Sequence, residues 1–161
     1  MRKTLIVMRH AKSSWDIPGS DIERPLNARG HSSAKALGDW LRSKSLAPDE
    51  VFCSAATRAQ ETGAGLKLSI PLSSIRTLYM APSDNLLSQM QGASGDTVLV
   101  IAHNPGIGDF AQRLAKTAPD HPRFSDYPTG ATTVFRCEIE NWAELKFGAA
   151  IVSDFVIPRE L

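Results

Sequence analysis

Short unbroken apolar runs alternate along this chain with segments of helical period, and that alternation limits the fold more than any other feature. Leu5-Ile6-Val7-Met8 is a continuous run, as expected of a strand buried on both faces. Asn27 then caps a helix that places Ala34, Leu37 and Leu41 on one side. Val51-Phe52-Cys53 is a second short strand, and Ser54 is the expected N-cap of a helix running to about Leu66. Ile75 to Met80 reads as a third strand, followed by a Ser83-capped helix carrying Leu86, Leu87 and Met90. Gly95-Asp96 is a turn into a buried strand, Thr97 to Ala102. Asn104 and Pro105 then supply an N-cap and a proline at the first helical position. Ile107, Phe110, Ala111 and Leu114 recur at helical spacing after them. A polar loop, Thr117 to Gly130, leads to a strand at Ala131 to Glu138, and Leu145 to Val156 is strand-like. Repeated β-α units that end in strands predict an α/β fold with a mostly parallel sheet, helices on both faces and an antiparallel edge.

The length, 161 residues, suits one domain spanning 1–161, with enough chain for a core that needs no staples. Eighteen basic residues against seventeen acidic ones exclude the broad positive field of a nucleic-acid binder. The apolar run before Arg9 and His10 is too short for a signal-peptide core, and no later stretch reaches the length of a membrane span. Cys53 and Cys137 stand far apart, without metal-type spacing, and read as two free thiols in a reducing compartment. The expectation is a cytoplasmic protein with no nucleic-acid or membrane partner.

Ligands of such sheets bind beyond the carboxyl ends of the strands, where helix N-termini converge. Three β-α junctions bring cationic or imidazole groups to that rim. Arg9 and His10 end the first strand, Arg58 lies in the first turn of the helix after the second, and His103 follows Ala102. Each alone has an ordinary explanation, as strand-end polarity, a solvated helix residue or a capping histidine. Their shared edge makes a dense anion pocket the better account. His31 and His121 lack that placement and read as surface or structural residues.

Phosphoryl transfer uses these residue types: cations on the equatorial oxygens and an in-line nucleophile. Arginine holds phosphate with two parallel hydrogen bonds and a charge that does not titrate. An imidazole among arginines is disfavoured in its protonated form, so His10 is expected to be neutral and nucleophilic near pH 7. His103 can donate a hydrogen bond to a transferring oxygen. Metal-binding His-x-x-x-His and His-Glu-x-x-His patterns are missing, as is a nucleotide-binding P-loop, so no metal and no cofactor is expected.

These residues resemble the histidine phosphatase, or phosphoglycerate-mutase-like, superfamily. Leu5-Ile6-Val7-Met8-Arg9-His10-Ala11 is similar to its Arg-His-Gly signature, with Ala11 where many members have glycine. Ser54-Ala55-Ala56-Thr57-Arg58-Ala59-Gln60-Glu61-Thr62 resembles its Ser-x-x-x-Arg-Ala-x-x-Thr segment, and Val100-Ile101-Ala102-His103-Asn104 its second-histidine strand. The likeness extends through Arg24-Pro25-Leu26-Asn27-Ala28-Arg29-Gly30. With Lys12-Ser13 and the compact length, it looks closest to the SixA branch of phosphohistidine phosphatases. The resemblance implies a three-layer α/β/α sandwich, His10 as nucleophile, and a phosphate pocket of Arg9, Arg58 and His103.

One departure bears on substrate. Mutase-like members usually carry a glutamate after the third strand to protonate the leaving oxygen; here Leu78-Tyr79-Met80-Ala81-Pro82 offers no acid before Asp84. Alkoxide departure needs such help, commonly worth ~10²–10⁴ in rate, whereas a phosphohistidine's imidazole leaves more easily. Asp21, Glu23 and Asp84 are the candidate acids. The expected partner is a phosphorylated signalling or phosphocarrier protein bearing phosphohistidine, acted on by a monomer. A small phosphoester or phosphoanhydride is the runner-up substrate. A phosphate-recognising binding module that has lost turnover is the non-enzymatic alternative.

Overall fold

The computed structural model describes residues 2–161. Six strands form one sheet in the order β3-β2-β4-β1-β5-β6. They are β1 (Lys3–Arg9), β2 (Glu50–Ser54), β3 (Ser73–Ile75), β4 (Thr97–Ala102), β5 (Thr132–Cys137) and β6 (Ile151–Val156). β3, β2, β4 and β1 run parallel, while β5 pairs antiparallel with both β1 and β6. Four α-helices cross between them: α1 (Ala28–Ser43), α2 (Thr57–Gly65), α3 (Ser83–Gln91) and α4 (Gly106–Leu114). The expected α/β sheet with its antiparallel edge is present, and the helices complete three layers.

Two cores flank the sheet, and the pleat of β1 feeds both. Leu5 and Val7 pack with Val98, Val100 and Phe135 against α3 and α4, through Leu86, Met90, Ile107, Phe110 and Leu114. Ile6 and Met8 turn to the other face with Leu99 and Ile101, meeting Leu37 and Leu41 of α1 and Ala59 of α2. All four apolar side chains of β1 are fully buried. At about 1.5–3 kcal/mol for each such residue, this strand anchors the whole assembly. The thiols of Cys53 and Cys137 lie in opposite cores, free and pushed up to about 12 by burial, so neither is a nucleophile near neutral pH. Among the described residues no helix is long and apolar enough to cross a membrane.

Several boundaries differ from the sequence reading. The third strand is shorter and earlier than Ile75–Met80: only Ser73–Ile75 pairs with β2, and Arg76–Leu78 forms a 3-10 turn. The apolar pattern there belongs to a turn that drops Leu78 into the core at the sheet's edge. Ser54 remains in β2 and α2 is entered from Ala56, with the Ser54 hydroxyl accepting from the Ala56 N–H. Ser83 is the first residue of α3 rather than its cap, because its hydroxyl donates to Asp109 of α4. Asn104 does reach the next helix, accepting from the Gly108 N–H, but α4 begins at Gly106 with Pro105 before it. Of Leu145–Val156, only Ile151–Val156 is strand. Asn27 caps α1 as expected, accepting from the Gly30 N–H at 2.8 Å.

Gly30 also allows the helix to touch the segment that follows β1. A Cβ placed there would lie 2.0 Å from the Lys12 carbonyl oxygen, a backbone atom that cannot swing aside. Gly30→Ala should therefore destabilise the fold by about 1–3 kcal/mol through overpacking, against a propensity gain of at most about 1 kcal/mol. The measurement is a urea melt: the midpoint should fall at constant m-value, and an unchanged midpoint would mean that α1 and the Lys12 segment do not approach so closely.

Candidate active site

Strand register assembles the site. Arg9 is the partner of Ala102 across the parallel β1–β4 pair, so the next residues, His10 and His103, leave the sheet side by side. Their ring centroids are 5.1 Å apart, and the His10 N–H donates to the Ala102 carbonyl. On the other side of β4, Cys53 pairs with Ile101, which brings Ser54 against His103. The Ser54 hydroxyl lies 2.7 Å from His103 Nε2.

His10 is 5 % exposed, and its Nδ1 sits 2.7 Å from the Ala11 carbonyl oxygen. A carbonyl only accepts, so Nδ1 carries the proton and Nε2 keeps its lone pair. Burial is the main force that lowers the His10 pKa, to about 3. The Ala11 carbonyl opposes the shift, and coupling to His103, Arg9 and Arg58 adds to it. The ring is therefore neutral at pH 7 as the sequence predicts, although desolvation contributes more than the neighbouring arginines. His103 is lowered to about 4 by burial and then by Arg58, with Asp21 opposing.

The Arg58-Ala-x-x-Thr62 spacing has a physical reason. Thr62 Oγ1 donates back one helical turn to the Arg58 carbonyl at 2.7 Å and accepts the Ala11 N–H at 2.9 Å. One hydroxyl thus fastens the residue after His10 to the helix that carries Arg58. Ala59, between them, fills the core. Glu61, facing another way, accepts the Leu26 N–H at 2.8 Å and ties down the segment that leads into α1.

Arg58 is 2 % exposed, and its guanidinium is held by Asp21: Nη1 donates to the Asp21 carbonyl at 2.7 Å and Nη2 to Oδ2 at 3.0 Å. The Tyr79 hydroxyl donates to the same carboxylate oxygen. Arg24 reaches Asp21 Oδ1 from a third side, bonds the Ser13 hydroxyl, and stacks 3.7 Å above the Trp15 ring. The Tyr79 hydrogen bond, followed by Arg58 and Arg24, brings the Asp21 pKa down to about 2. Of the three candidate acids, only Asp21 reaches the pocket, and there it is an ionised carboxylate. Glu23 is exposed and accepts from the Ser20 hydroxyl, and Asp84 pairs with Arg113 on the surface.

His10, Arg9, Arg58 and His103 line one cavity of about 270 Å³, together with Ser13, Asp21 and Arg24. Arg9 donates through Nη1 to the Tyr127 carbonyl at 3.2 Å. The Nε atoms of Arg9 and Arg58 and Nδ1 of His103 are buried with no hydrogen-bond partner in the protein. Orphaned groups of this kind are costly unless they serve a ligand; the three residues that carry these line the same cavity, while Arg136 Nε is a fourth such atom away from it. Sequence reasoning missed Tyr79, Arg24 and Ser13. The only available signals were the Arg24-Pro25 segment and Ser13 close behind His10. His121 donates through Nε2 to the Glu160 carboxylate at 2.8 Å, away from the pocket, and His31 is exposed. Among the described residues, no three His, Cys, Asp or Glu side chains gather in a metal-ligating cluster.

Known proteins share the sequence and the fold. An uncharacterized protein of Mycobacterium tuberculosis is 35% identical over 94% of this chain and 100% of its own length. A candidate phosphohistidine phosphatase SixA from Nakamurella multipartitia superposes with a TM-score of 0.88 at 28% identity, covering 98% of this chain and 97% of that one. A second SixA candidate, from Agrobacterium tumefaciens, shares the fold with a TM-score of 0.78 at 23% identity, over 97% of this chain and 99% of that one. The sequence profile of the Histidine phosphatase superfamily (branch 1) matches residues 5–78, which hold β1, α1, β2 and α2 and, with them, Arg9, His10 and Arg58. From its sequence and from its fold alike, the chain belongs to the histidine phosphatase superfamily.

Proposed function

We propose that this protein hydrolyses phosphohistidine on a signalling or phosphocarrier protein, as a monomeric single-domain enzyme, without a metal, through a covalent intermediate on His10. The observation that carries the proposal is the Nδ1–Ala11 hydrogen bond, which leaves a neutral Nε2 lone pair at the base of a cationic pocket. In the first step Nε2 attacks phosphorus in line, the bond to the substrate's imidazole nitrogen breaks, and that imidazole leaves with a proton from solvent. In the second step water attacks the phosphorylated His10, inorganic phosphate departs and Nε2 regains its lone pair. Arg9 and Arg58 hold the equatorial oxygens, and His103 supplies a hydrogen bond to one of them.

Asp21 supports the nitrogen–phosphorus substrate. A carboxyl held at about 2 has no proton to give an alkoxide near neutral pH, so it does not replace the missing glutamate. The imidazole of phosphohistidine needs no such acid. The binding-module alternative loses part of its motive, because Ala11 is absent from the residues with left-handed backbone and requires no glycine's freedom.

A rapidly quenched reaction in buffer containing a strong chelator should yield enzyme phosphorylated on His10, with label lost in acid and kept in alkali. His10→Ala should abolish it. Label on Ser13, Ser14 or His103 with His10 unmodified, or a need for added divalent ion, would overturn the mechanism.

Arg58→Lys keeps a charge but loses the planar fork, and should lower kcat by roughly 10²-fold or more. Turnover within about threefold of wild type would place Arg58 outside the reaction.

Proton linkage gives a further check. The unfolded chain takes up protons on its histidines below about pH 6.5, while folded His10 and His103 refuse them until about 3 and 4. Stability contributed by these neutral rings is therefore present above pH 6.5 and declines as pH falls from there toward 3. Ring proton shifts in an NMR titration should show both residues titrating far below 6.5. A midpoint for His10 near 6.5 would contradict its burial as a neutral base.

A further inference from the structure

A second cavity, of about 370 Å³, adjoins the first and shares Arg9, Lys12 and Thr129 with it. Arg29, Arg123 and Arg159 join Lys12 in its wall, and Asp126 is its one carboxylate. Asp126 is already engaged by Arg123, whose Nε lies 3.1 Å from each carboxylate oxygen. Among the described residues, Lys12, Arg29 and Arg159 form no ion pair. The chain as a whole is nearly neutral, with a formal charge of +1, so this concentration of cations is local.

Arg29 makes the arrangement harder to explain by stability alone. It occupies the first turn of α1, at the positive end of the helix dipole, where a cation is unfavourable. Lys12 from the turn after β1, Arg123 from the loop before β5 and Arg159 from the C-terminal 3-10 turn converge on the same space. The unpaired charges of Lys12, Arg29 and Arg159, gathered from three segments, repel one another until a further anion joins them.

The exposed apolar residues at and near the first cavity indicate how large the ligand is. Among the described residues, four large apolar side chains are conspicuously exposed, and one of these is the terminal Leu161. The others are Trp15 and Met80, which line the phosphate pocket, and Ile17, two residues beyond Trp15. Exposed aromatic and Met side chains beside a site are the usual anchors of a protein partner, and a small anion makes no use of them.

We propose that the basic cleft of Lys12, Arg29, Arg123 and Arg159 is a second anion subsite that receives an acidic segment of the substrate protein flanking its phosphohistidine. This rests on the phosphohistidine reading above and adds to it the character of the partner: acidic on the side that faces α1 and the C-terminal turn. Single exposed ion pairs contribute little, so the effect is expected from several acting together and should fade with salt.

The test uses two phosphohistidine peptides of equal length that differ only in flanking residues, glutamates in one and glutamines in the other. Wild-type enzyme should show a KM about tenfold lower for the glutamate peptide at low ionic strength, with similar kcat. Arg29→Ser/Arg159→Ser should erase the preference and leave kcat for the glutamine peptide intact, while Arg29→Lys/Arg159→Lys should retain it. Equal KM values in wild type, or a preference that survives the double serine change, would overturn the subsite. A separate arm guards against failure of the phosphohistidine reading, which would show as neither peptide being dephosphorylated. Unphosphorylated versions of the same peptides are then titrated against wild-type protein and the double serine variant by calorimetry. Binding of the glutamate peptide alone, lost in the variant, supports the subsite independently of turnover. No binding, or binding of a short bisphosphate at the cleft while the glutamate peptide fails, would overturn it.

Discussion

Parallel pairing of β1 with β4 is the interaction on which the rest of this molecule depends. Burying Leu5 through Met8 on both faces fixes that pairing, because a one-residue slip would exchange the side chains destined for the two cores. The same register decides where His10 and His103 emerge, and the β2–β4 pairing does so for Ser54. The chemistry of the pocket is thus set by a constraint that acts on apolar residues several positions away. Thr62 extends the constraint outward by joining the Ala11 backbone to the Arg58 turn of α2.

Burial is the larger influence on charge in the pocket. Both histidines are neutral chiefly because water is kept from them, and the arginines reinforce a state that desolvation has already chosen. The arginines remain cations in the same surroundings, since the guanidinium's affinity for its proton lies far above neutral pH. Titratable bases that stay neutral and fixed cations around them are what the proposed phosphoryl transfer to nitrogen requires, and the residues lining one cavity include both.

Much of this was legible in the residues. Continuous apolar runs marked β1 and β4, helical spacing marked α1 and α4, and the strand ends located Arg9, His10 and His103. Arg58 could be placed because Ser54 to Thr62 lies at a β-α junction. Less could be seen of the edge: Ile75 to Met80 has a strand's composition, yet only three residues find a partner there and Leu78 is buried from a turn. Caps shifted by one or two residues where a side chain had another use, as Ser54 does toward His103 and Ser83 toward Asp109. The grip of Tyr79 and Arg24 on Asp21 was out of reach, because it joins positions up to 58 apart in a loop without periodicity.

Asp21 has a consequence for what happens after the bond to phosphorus is broken. Its carboxylate stays ionised and paired with Arg58, so on the proposed mechanism an orthophosphate dianion in the pocket would face a fixed negative neighbour and share that cation with it. Ground-state affinity for free phosphate would thereby fall below what the cations alone would give. Binding energy withheld from a released anion does not have to be recovered before the next cycle. Under that mechanism the pocket would let go of orthophosphate readily, and a site so rich in cations would not be occupied permanently by the commonest anion of its kind.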